Sequence, residues 1–234
     1  MVSAIKEKDK AGGLVGYGAG ALGETPVPAP PTQARGAEKR DRIYRAAIDR
    51  YSSDGVGATR VEDVIADAGV SWATFFRYFP RKEDVLIEAI ARHFREHVRM
   101  VAEQSRGDRR LRMRTATERT FAALLEPSEL PPALHSVALL EVFAYPARFA
   151  ALVDEGHPQP MVRVVADLLA EAQRRGELRR GLDPAGAALV VVAGALFPGA
   201  QATAFGSDPN LAVRVALDVL WSGLADRGGA GSPP

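Results

Sequence analysis

The chain has 234 residues, of which 47% are apolar and 25% charged, so it can bury a core and hold one large or two small domains. Its formal net charge of +1 is unlike that of proteins that coat nucleic acid by charge alone. The absence of cysteine excludes disulfides, thiolate nucleophiles, zinc fingers and iron–sulfur clusters, and it fits a reducing cytoplasm.

Residues 1–36 are rich in Gly, Ala and Pro, which is typical of a disordered or extended arm. Within them, residues 18–23 match the G-x-G-x-x-G pattern of dinucleotide-binding loops. No strand precedes this match, and prolines follow where a helix would have to begin, so we do not expect a nucleotide site. Residues 6–23 also resemble a signal peptide faintly, and acids and glycines weaken that interpretation. A further hypothesis places the arm in a DNA minor groove with Arg35 near the duplex.

Residues 59–78 predict two short helices separated by a turn. Thr59, followed three residues later by Glu62, matches a capping box and predicts where the first helix begins. Gly69 supplies the left-handed residue that ends it. Apolar residues at helical spacing form a stripe between these two ends: Val61, Val64, Ile65 and Ala68.

The second helix is predicted to begin after Ser71, a favourable capping residue, with Val70 and Phe75 placed to form a hydrophobic staple. A helical wheel divides its residues into an inward group, Phe75, Tyr78 and Phe79, and an outer group, Trp72, Ala73, Phe76 and Arg77. A helix-turn-helix presents the outer side of its second helix to the major groove. Double-stranded DNA is therefore the leading partner.

The stretch covering residues 37–104 resembles the DNA-binding domain of TetR-type transcriptional regulators. The matching positions are Ile43, Ala46, Ala47, Tyr51, Gly57, Thr59, Ala68, Gly69, Val70, Ser71, Thr74, Phe75, Tyr78, Phe79, Lys82 and Glu83. The resemblance implies an all-α fold, in which a three-helix helix-turn-helix domain is joined by a connecting helix to a helical ligand-binding and dimerisation domain.

Carried over by position, the resemblance implies that phosphates are held by Thr59, Tyr78 and Lys82, and that bases are approached by Trp72, Ala73 and Arg77. The predicted DNA-contacting set is completed by Ser71, Thr74 and Phe76.

The chain departs from the family pattern at Trp72, where Lys or Arg is common, at Phe76, where Tyr is common, and at Ile65, where Ala is usual. We expect Trp72 to make apolar contact with a thymine methyl group or the sugar backbone. Positive charge clusters instead at the start of the first helix, at Lys39, Arg40, Arg42 and Arg45, so DNA affinity should fall steeply with salt.

Between residues 105 and 227, Pro and Gly breaks leave about six predicted helices and no strand alternation. This layout resembles the TetR-type regulatory domain, which implies a pocket for a small molecule and a dimer formed through the last two helices. Residues 228–234 are predicted to be a flexible tail.

The 24 residues from 184 to 207 carry no charge and are long enough to span a bilayer. Pro, Gly and polar residues lower their apolarity, however, and the core of a dimer requires the same kind of helix. We therefore expect a homodimer and no membrane span. Two recognition helices about one turn of DNA apart (~34 Å) predict a near-palindromic operator.

Candidate walls of an effector pocket are the apolar residues Phe121, Leu125, Leu139, Phe143, Phe149, Val164, Leu168 and Phe197. Such a lining indicates a hydrophobic or amphipathic effector, with Glu141, His135 or Gln201 as polar anchors. Each of these positions is equally compatible with plain core packing.

His93 and His97 have metal-ligand spacing, but no third ligand is apparent and charged neighbours favour a solvated helical face. No cofactor or metal is expected, and no catalytic motif indicates an enzyme. The sequence thus predicts a DNA-binding regulator, more specifically a repressor. The alternative is a helical dimeric small-molecule-binding module that has lost operator binding, an idea prompted by Trp72 and Phe76.

Overall fold

The computed structural model describes residues 28, 31, 33–126, 130–153 and 159–225. Its helices are α1 (Ala34–Asp54), α2 (Val61–Ala68), α3 (Trp72–Tyr78), α4 (Asp84–His93), α5 (Arg99–Gly107), α6 (Met113–Leu125), α7 (Pro132–Ala144), α8 (Pro146–Val153), α9 (Pro160–Arg174), α10 (Pro184–Ala204) and α11 (Pro209–Leu224). A π-helical segment, Phe94–Val98, joins α4 to α5. Across the described ranges no strand forms apart from an isolated bridge between Leu178 and Ala225. The predicted all-α class is confirmed.

Helices α1–α3, here called the head, pack around a small apolar core to which Ile43, Val64 and Phe75 contribute fully buried side chains. The predicted turn between α2 and α3 is confirmed. Gly69 ends α2 in the left-handed conformation, with φ +59° and ψ +47°. The Ser71 hydroxyl oxygen accepts the backbone N–H of the third residue along and caps α3.

The predicted cap at the start of α2 is wrong. Arg60 precedes the helix, and no side chain caps it. Thr59 lies one residue too early and is buried in the preceding turn, where its hydroxyl donates to the Gly55 carbonyl at 2.8 Å. The capping-box pattern is present in the sequence, but the Thr59 hydroxyl bonds within this turn and does not cap the helix.

Helix α4 lies at the centre of the molecule. Every residue from 84 to 91 is buried, because α1 packs against one side of the helix and α7 and α8 pack against the other. With the π-helical segment and α5 it forms one continuous helix over residues 84–107, where the connecting helix was predicted. The head therefore leads directly into the centre of the rest of the chain.

Helices α6–α11, here called the body, correspond to the six predicted helices. Helix α10 packs against α7, α9 and α11. Its glycines allow this, since a Cβ at Gly194 or Gly199 would lie 2.9 Å from side-chain atoms of Leu220 or Val213. By length and composition Pro184–Ala202 also meets the requirements of a membrane span, as α7 and α8 would if counted as one helix despite a 101° bend.

The apolar residues of α11 form two separate rows. Val213, Leu217 and Trp221 are buried in the body. Leu211, Val215 and Val219 are 52%, 57% and 68% exposed, beside Val190 and Phe197 of α10, which are 58% and 50% exposed. These five residues are called the outer apolar face. Each of these residues leaves at least half of its surface uncovered by the described chain.

Most of the predicted arm, including residues 18–23 and the signal-like stretch, lies outside the described residues, as does the predicted tail at 228–234. Helix α1 begins at Ala34, so Arg35 belongs to the helix and not to the arm. Pro28 is described, and its carbonyl accepts a hydrogen bond from Arg40 at 3.1 Å.

Candidate nucleic-acid interface

The outer face of α3 consists of Trp72, Ala73, Phe76 and Arg77. Trp72 is 51% exposed, Ala73 and Arg77 are exposed, and Phe76 is half-buried. The opposite side of the same helix is buried in the head. The division of this helix that the wheel predicted is therefore confirmed, and a short capped helix presents a mixed apolar and cationic surface.

Arg77 is held in place by its neighbour Tyr78. The guanidinium carbon lies 4.9 Å from the centroid of the tyrosine ring, and Nη2 donates to the tyrosine hydroxyl at 3.1 Å. Arginine is planar and stacks on aromatic faces, so this contact restrains its long side chain. The Tyr78 hydroxyl accepts this bond, and Tyr78 is 7% exposed, so its contact with a phosphate stays a prediction.

Lys82 lies between α3 and α4 and ties down the loop between α1 and α2. Its ammonium donates to the carbonyls of Val56 at 2.7 Å, Thr59 at 3.0 Å and Gly57 at 3.5 Å. An ammonium has three donors, and three carbonyls face it. The Thr59 hydroxyl proton is also engaged, as described above. Phosphate contact by Lys82 or Thr59 thus stays a prediction, and it requires these internal bonds to be exchanged.

The basic cluster predicted on α1 is divided between surface and interior. Lys39, Arg42 and Arg45 are exposed. Exposure of Arg40 to DNA, in contrast, is a wrong prediction, because its side chain is 3% exposed and lies 3.0 Å from the Glu88 carboxylate. The buried carboxylate of Glu88 needs a counter-charge, and α1 supplies it.

A second buried ion pair joins α4 to α8. Arg148 Nη1 lies 2.9 Å from both carboxylate oxygens of Asp84, and the two side chains are 6% and 0% exposed. Asp84 also accepts the backbone N–H of Arg81 at 2.8 Å. Burial raises the pKa of the Asp84 carboxyl, and the Arg81 N–H and the Arg148 guanidinium oppose that rise. The pair fixes the end of the head against the body.

Arg81 makes further contacts at this junction. Its guanidinium lies 4.1 Å from the centroid of the Tyr145 ring, and Nη2 is 3.4 Å from the Glu141 carboxylate. Tyr145 separates α7 from α8, so Arg81, in the loop between α3 and α4, contacts the bend between them. Residues 141–149 are called the corner.

The head also matches a known family. A family model for bacterial regulatory proteins of the tetR family matches residues 43–89, from α1 into α4. Over these residues the chain is similar to the DNA-binding domain of TetR-family regulators. YdgC of Bacillus subtilis (strain 168), an uncharacterized HTH-type transcriptional regulator, is 31% identical over 71 residues, which are 30% of this chain and 36% of that protein. The match spans about a third of this curated relative.

Solved TetR-family structures share the fold over most of the chain. FadR of Thermus thermophilus, a TetR family transcriptional repressor, has a TM-score of 0.65 and 22% identity, with 83% of this chain and 100% of that chain covered. A structure from Rhodococcus sp. assigned to the same family has a TM-score of 0.52 and 26% identity, with 79% and 99% covered. The likeness extends from the head into the body.

The residues predicted to line an effector pocket do not meet in one cavity. Phe143 and Phe149 line an apolar groove of about 200 Å³ between the corner and helices α9 and α10. Val164 and Leu168 line a separate cleft of about 310 Å³ between α5 and α9 that also contains arginines. The remaining four are Phe121, Leu125 and Leu139, which are buried core residues, and Phe197, which is exposed beside Phe143.

The predicted polar anchors have other partners or positions. Glu141 is paired with Arg81, and burial raises the pKa of its carboxyl while Arg81 lowers it. His135 is 2% exposed and bonds the Leu124 carbonyl at 2.9 Å. Gln201 is half-buried on α10. Of the three, Glu141 lies beside the apolar groove, since its neighbour Val142 lines it.

The prediction of a solvated face is wrong for His93, which is 7% exposed. Its Nε2 lies 2.6 Å from the Ala123 carbonyl, because the end of α6 packs against the π-helical segment. Carbonyl oxygens only accept, so both His93 and His135 carry their proton on Nε2. In the part of the chain that the structure describes, no three His, Asp or Glu side chains are grouped to hold a metal ion.

The sequence analysis did not predict the buried ion pair between Asp84 and Arg148. Arg148 is the one charged residue in the eight of α8, PARFAALV. A lone charge in an apolar helix must find a partner if the helix is buried, so this signal was available. The identity of the partner could not be predicted, because Asp84 is 64 residues away in sequence.

Replacing Arg148 by Met should lower the free energy of unfolding by ~3–5 kcal/mol, because Asp84 would be buried without its counter-charge. Urea unfolding followed by circular dichroism measures this. Adding Asp84→Asn to the same chain should restore part of the loss. Arg114→Met is a matched control, since Arg114 also pairs with two carboxylates but is 38% exposed, and it should cost at most ~1 kcal/mol. Equal costs for the two single variants would contradict a buried pair.

Acidification should destabilise the protein through His93 and His135. Burial lowers the pKa of both imidazoles, so below the unfolded value of about 6.5 the unfolded chain binds more protons than the folded one. Each histidine should therefore remove up to about 1.4 kcal/mol of stability between pH 7.5 and pH 5.5. Denaturant unfolding of His135→Gln should show a smaller difference between these two pH values than wild type. A difference in His135→Gln as large as that of wild type would contradict this prediction.

Proposed function

We propose that this protein is a cytoplasmic, sequence-specific transcriptional repressor that leaves a near-palindromic operator when a small hydrophobic or amphipathic effector binds the body. The TetR family is one of transcriptional regulators. The observation that carries the proposal is the outer face of α3, exposed on a capped helix with Arg77 held on the ring of Tyr78. An arginine in the major groove pairs with the O6 and N7 acceptors of guanine.

The outer apolar face on α10 and α11 supports a homodimer. Its five side chains are at least half exposed, on two adjacent antiparallel helices whose other sides are already packed. Exposed apolar residues grouped on one face are typical of subunit interfaces. A symmetric pairing of these helices with their copies forms a four-helix contact, which places two heads on one side of a duplex.

The apolar groove supports a hydrophobic or amphipathic effector. It is lined by Phe143, Phe149, Met161, Leu189 and Leu196, among others. Its volume of about 200 Å³ is below the ~300 Å³ at which ligand pockets usually begin, so an effector has to widen it. FadR of Thermus thermophilus was solved in complex with lauroyl-CoA, an amphipathic ligand. We infer the same general class here.

The corner supplies the coupling between effector and DNA. Val142, Phe143 and Phe149 face the groove, while Tyr145 and Arg148, from the same nine residues, contact the junction with the head. Widening the groove therefore has to shift the residues that hold Arg81 and Asp84. An effector releases DNA only through its different affinity for the two arrangements of the heads.

A second candidate function is a dimeric small-molecule-binding module without operator binding. The aromatic residues Trp72 and Phe76 on the outer face of α3 favour this function. The internal bonds of Lys82 and Thr59, two residues that the family resemblance assigns to phosphates, also favour it. Selection from a pool of random duplexes at two salt concentrations decides between the two functions. An enriched near-palindrome supports the repressor, and salt-sensitive retention without enrichment supports the module.

On the selected operator, Arg77→Ala should weaken binding by ~1–3 kcal/mol and relax the preference at one base position in each half-site, because a base-reading contact is lost. Fluorescence anisotropy with the operator and with single-substituted operators measures both effects. Arg174→Ala is a matched control, since Arg174 is 64% exposed but lies on α9, and it should leave affinity unchanged. An equal loss on every sequence for Arg77→Ala would show a phosphate contact instead.

A further inference from the structure

Trp72 and Phe76 form an aromatic pair on the surface of the recognition helix. Their ring centroids are 5.1 Å apart with the planes tilted by 50°. Phe76 in turn meets the buried ring of Phe75 edge-on at 5.1 Å. The exposed indole is therefore connected through one half-buried ring to the core of the head, and its position is restrained by packing.

This exposed aromatic surface is unusual within the head. Among the described head residues, Trp72 is the one large apolar side chain with more than a third of its surface exposed, and the others of this kind lie on α5 and the body. A half-exposed tryptophan offers a large, rigid apolar surface to a partner. The residue stands at the first position of α3, where a helix-turn-helix approaches base edges.

The chemistry of the outer face limits what it can recognise. Trp72 and Phe76 lie one turn apart and form an apolar row, while Ala73 and Arg77 form a second row with the charge at its end. In the major groove the apolar group on a base edge is the C5 methyl of thymine, and the other edge groups are hydrogen-bond donors and acceptors. An apolar row gains by covering that methyl and loses by covering an unpaired polar edge.

We propose that Trp72, positioned by Phe76, reads a thymine methyl group in each operator half-site and is the principal specificity residue of the apolar row. This rests on the proposed operator binding. The row beside it, ending in Arg77, then selects a neighbouring base by hydrogen bonding, so one half-site combines an apolar and a polar contact.

The test replaces single thymines of the selected operator by deoxyuridine, which removes the methyl group and leaves every hydrogen-bonding atom in place. Burial of one methyl is worth ~0.8 kcal/mol, so wild type should lose affinity about fourfold per half-site, or about fifteenfold when both half-sites are changed. The loss should be confined to one thymine position in each half-site. In Trp72→Ala, thymine and deoxyuridine operators should bind equally.

Trp72 is exposed, so the alanine variant should keep the wild-type fold, which circular dichroism and the thermal midpoint check. Met100→Ala removes another large exposed apolar side chain, 43% exposed on α5, and should keep the full response to deoxyuridine. Equal binding of all operators by wild type, or a wild-type response in Trp72→Ala, overturns the inference while leaving the repressor in place. If selection enriches no sequence, the proposed function fails first and the inference fails with it.

Discussion

The ion pair between Asp84 and Arg148 is the constraint on which the rest of the structure depends. Both side chains are removed from water, 64 residues apart in sequence, at the point where the head ends and α4 enters the body. Desolvation offsets most of the attraction in such a pair, so it contributes little net stability. It does demand one geometry, because a displaced partner leaves a buried charge. The head is therefore held at a defined angle.

Helix α4 carries a second buried ion pair, which joins it to the head. Glu88, one turn along from Asp84, is buried between Arg40 of α1 and Arg92. Burial raises the pKa of its carboxyl, but the two guanidinium groups outweigh this effect and the net shift is downward. Arg92 also forms an ion pair with Asp41 of α1, in which Nη1 lies 2.9 Å from the Asp41 Oδ1 atom. One helix thus carries two buried acids, one matched by the head and one by the body, and it links the two mechanically.

How much the sequence could predict depended on the range of the interactions involved. The turn at Gly69 and the cap at Ser71 are local, and they were found because a left-handed residue and a hydroxyl near a helix start have few other uses. Thr59 has the same hydroxyl, but the preceding turn buried it against Gly55, which no local pattern reveals. His93 was misplaced for a related reason, since its partner carbonyl lies on α6. The pairing of Arg148 with Asp84 needed the tertiary fold itself.

The proposal that the ion pair between Asp84 and Arg148 sets the position of the two heads in a dimer is tested most directly with the double variant Asp84→Asn, Arg148→Met. The measurement compares its affinity for the full palindromic operator with its affinity for a single half-site duplex. We expect the full-site affinity to fall about tenfold or more, equivalent to ~1.4 kcal/mol, while half-site affinity stays at the wild-type value, because each head still folds but the spacing of the two is no longer held. Unchanged affinity for the full site, in a variant whose circular dichroism matches wild type, would contradict the account.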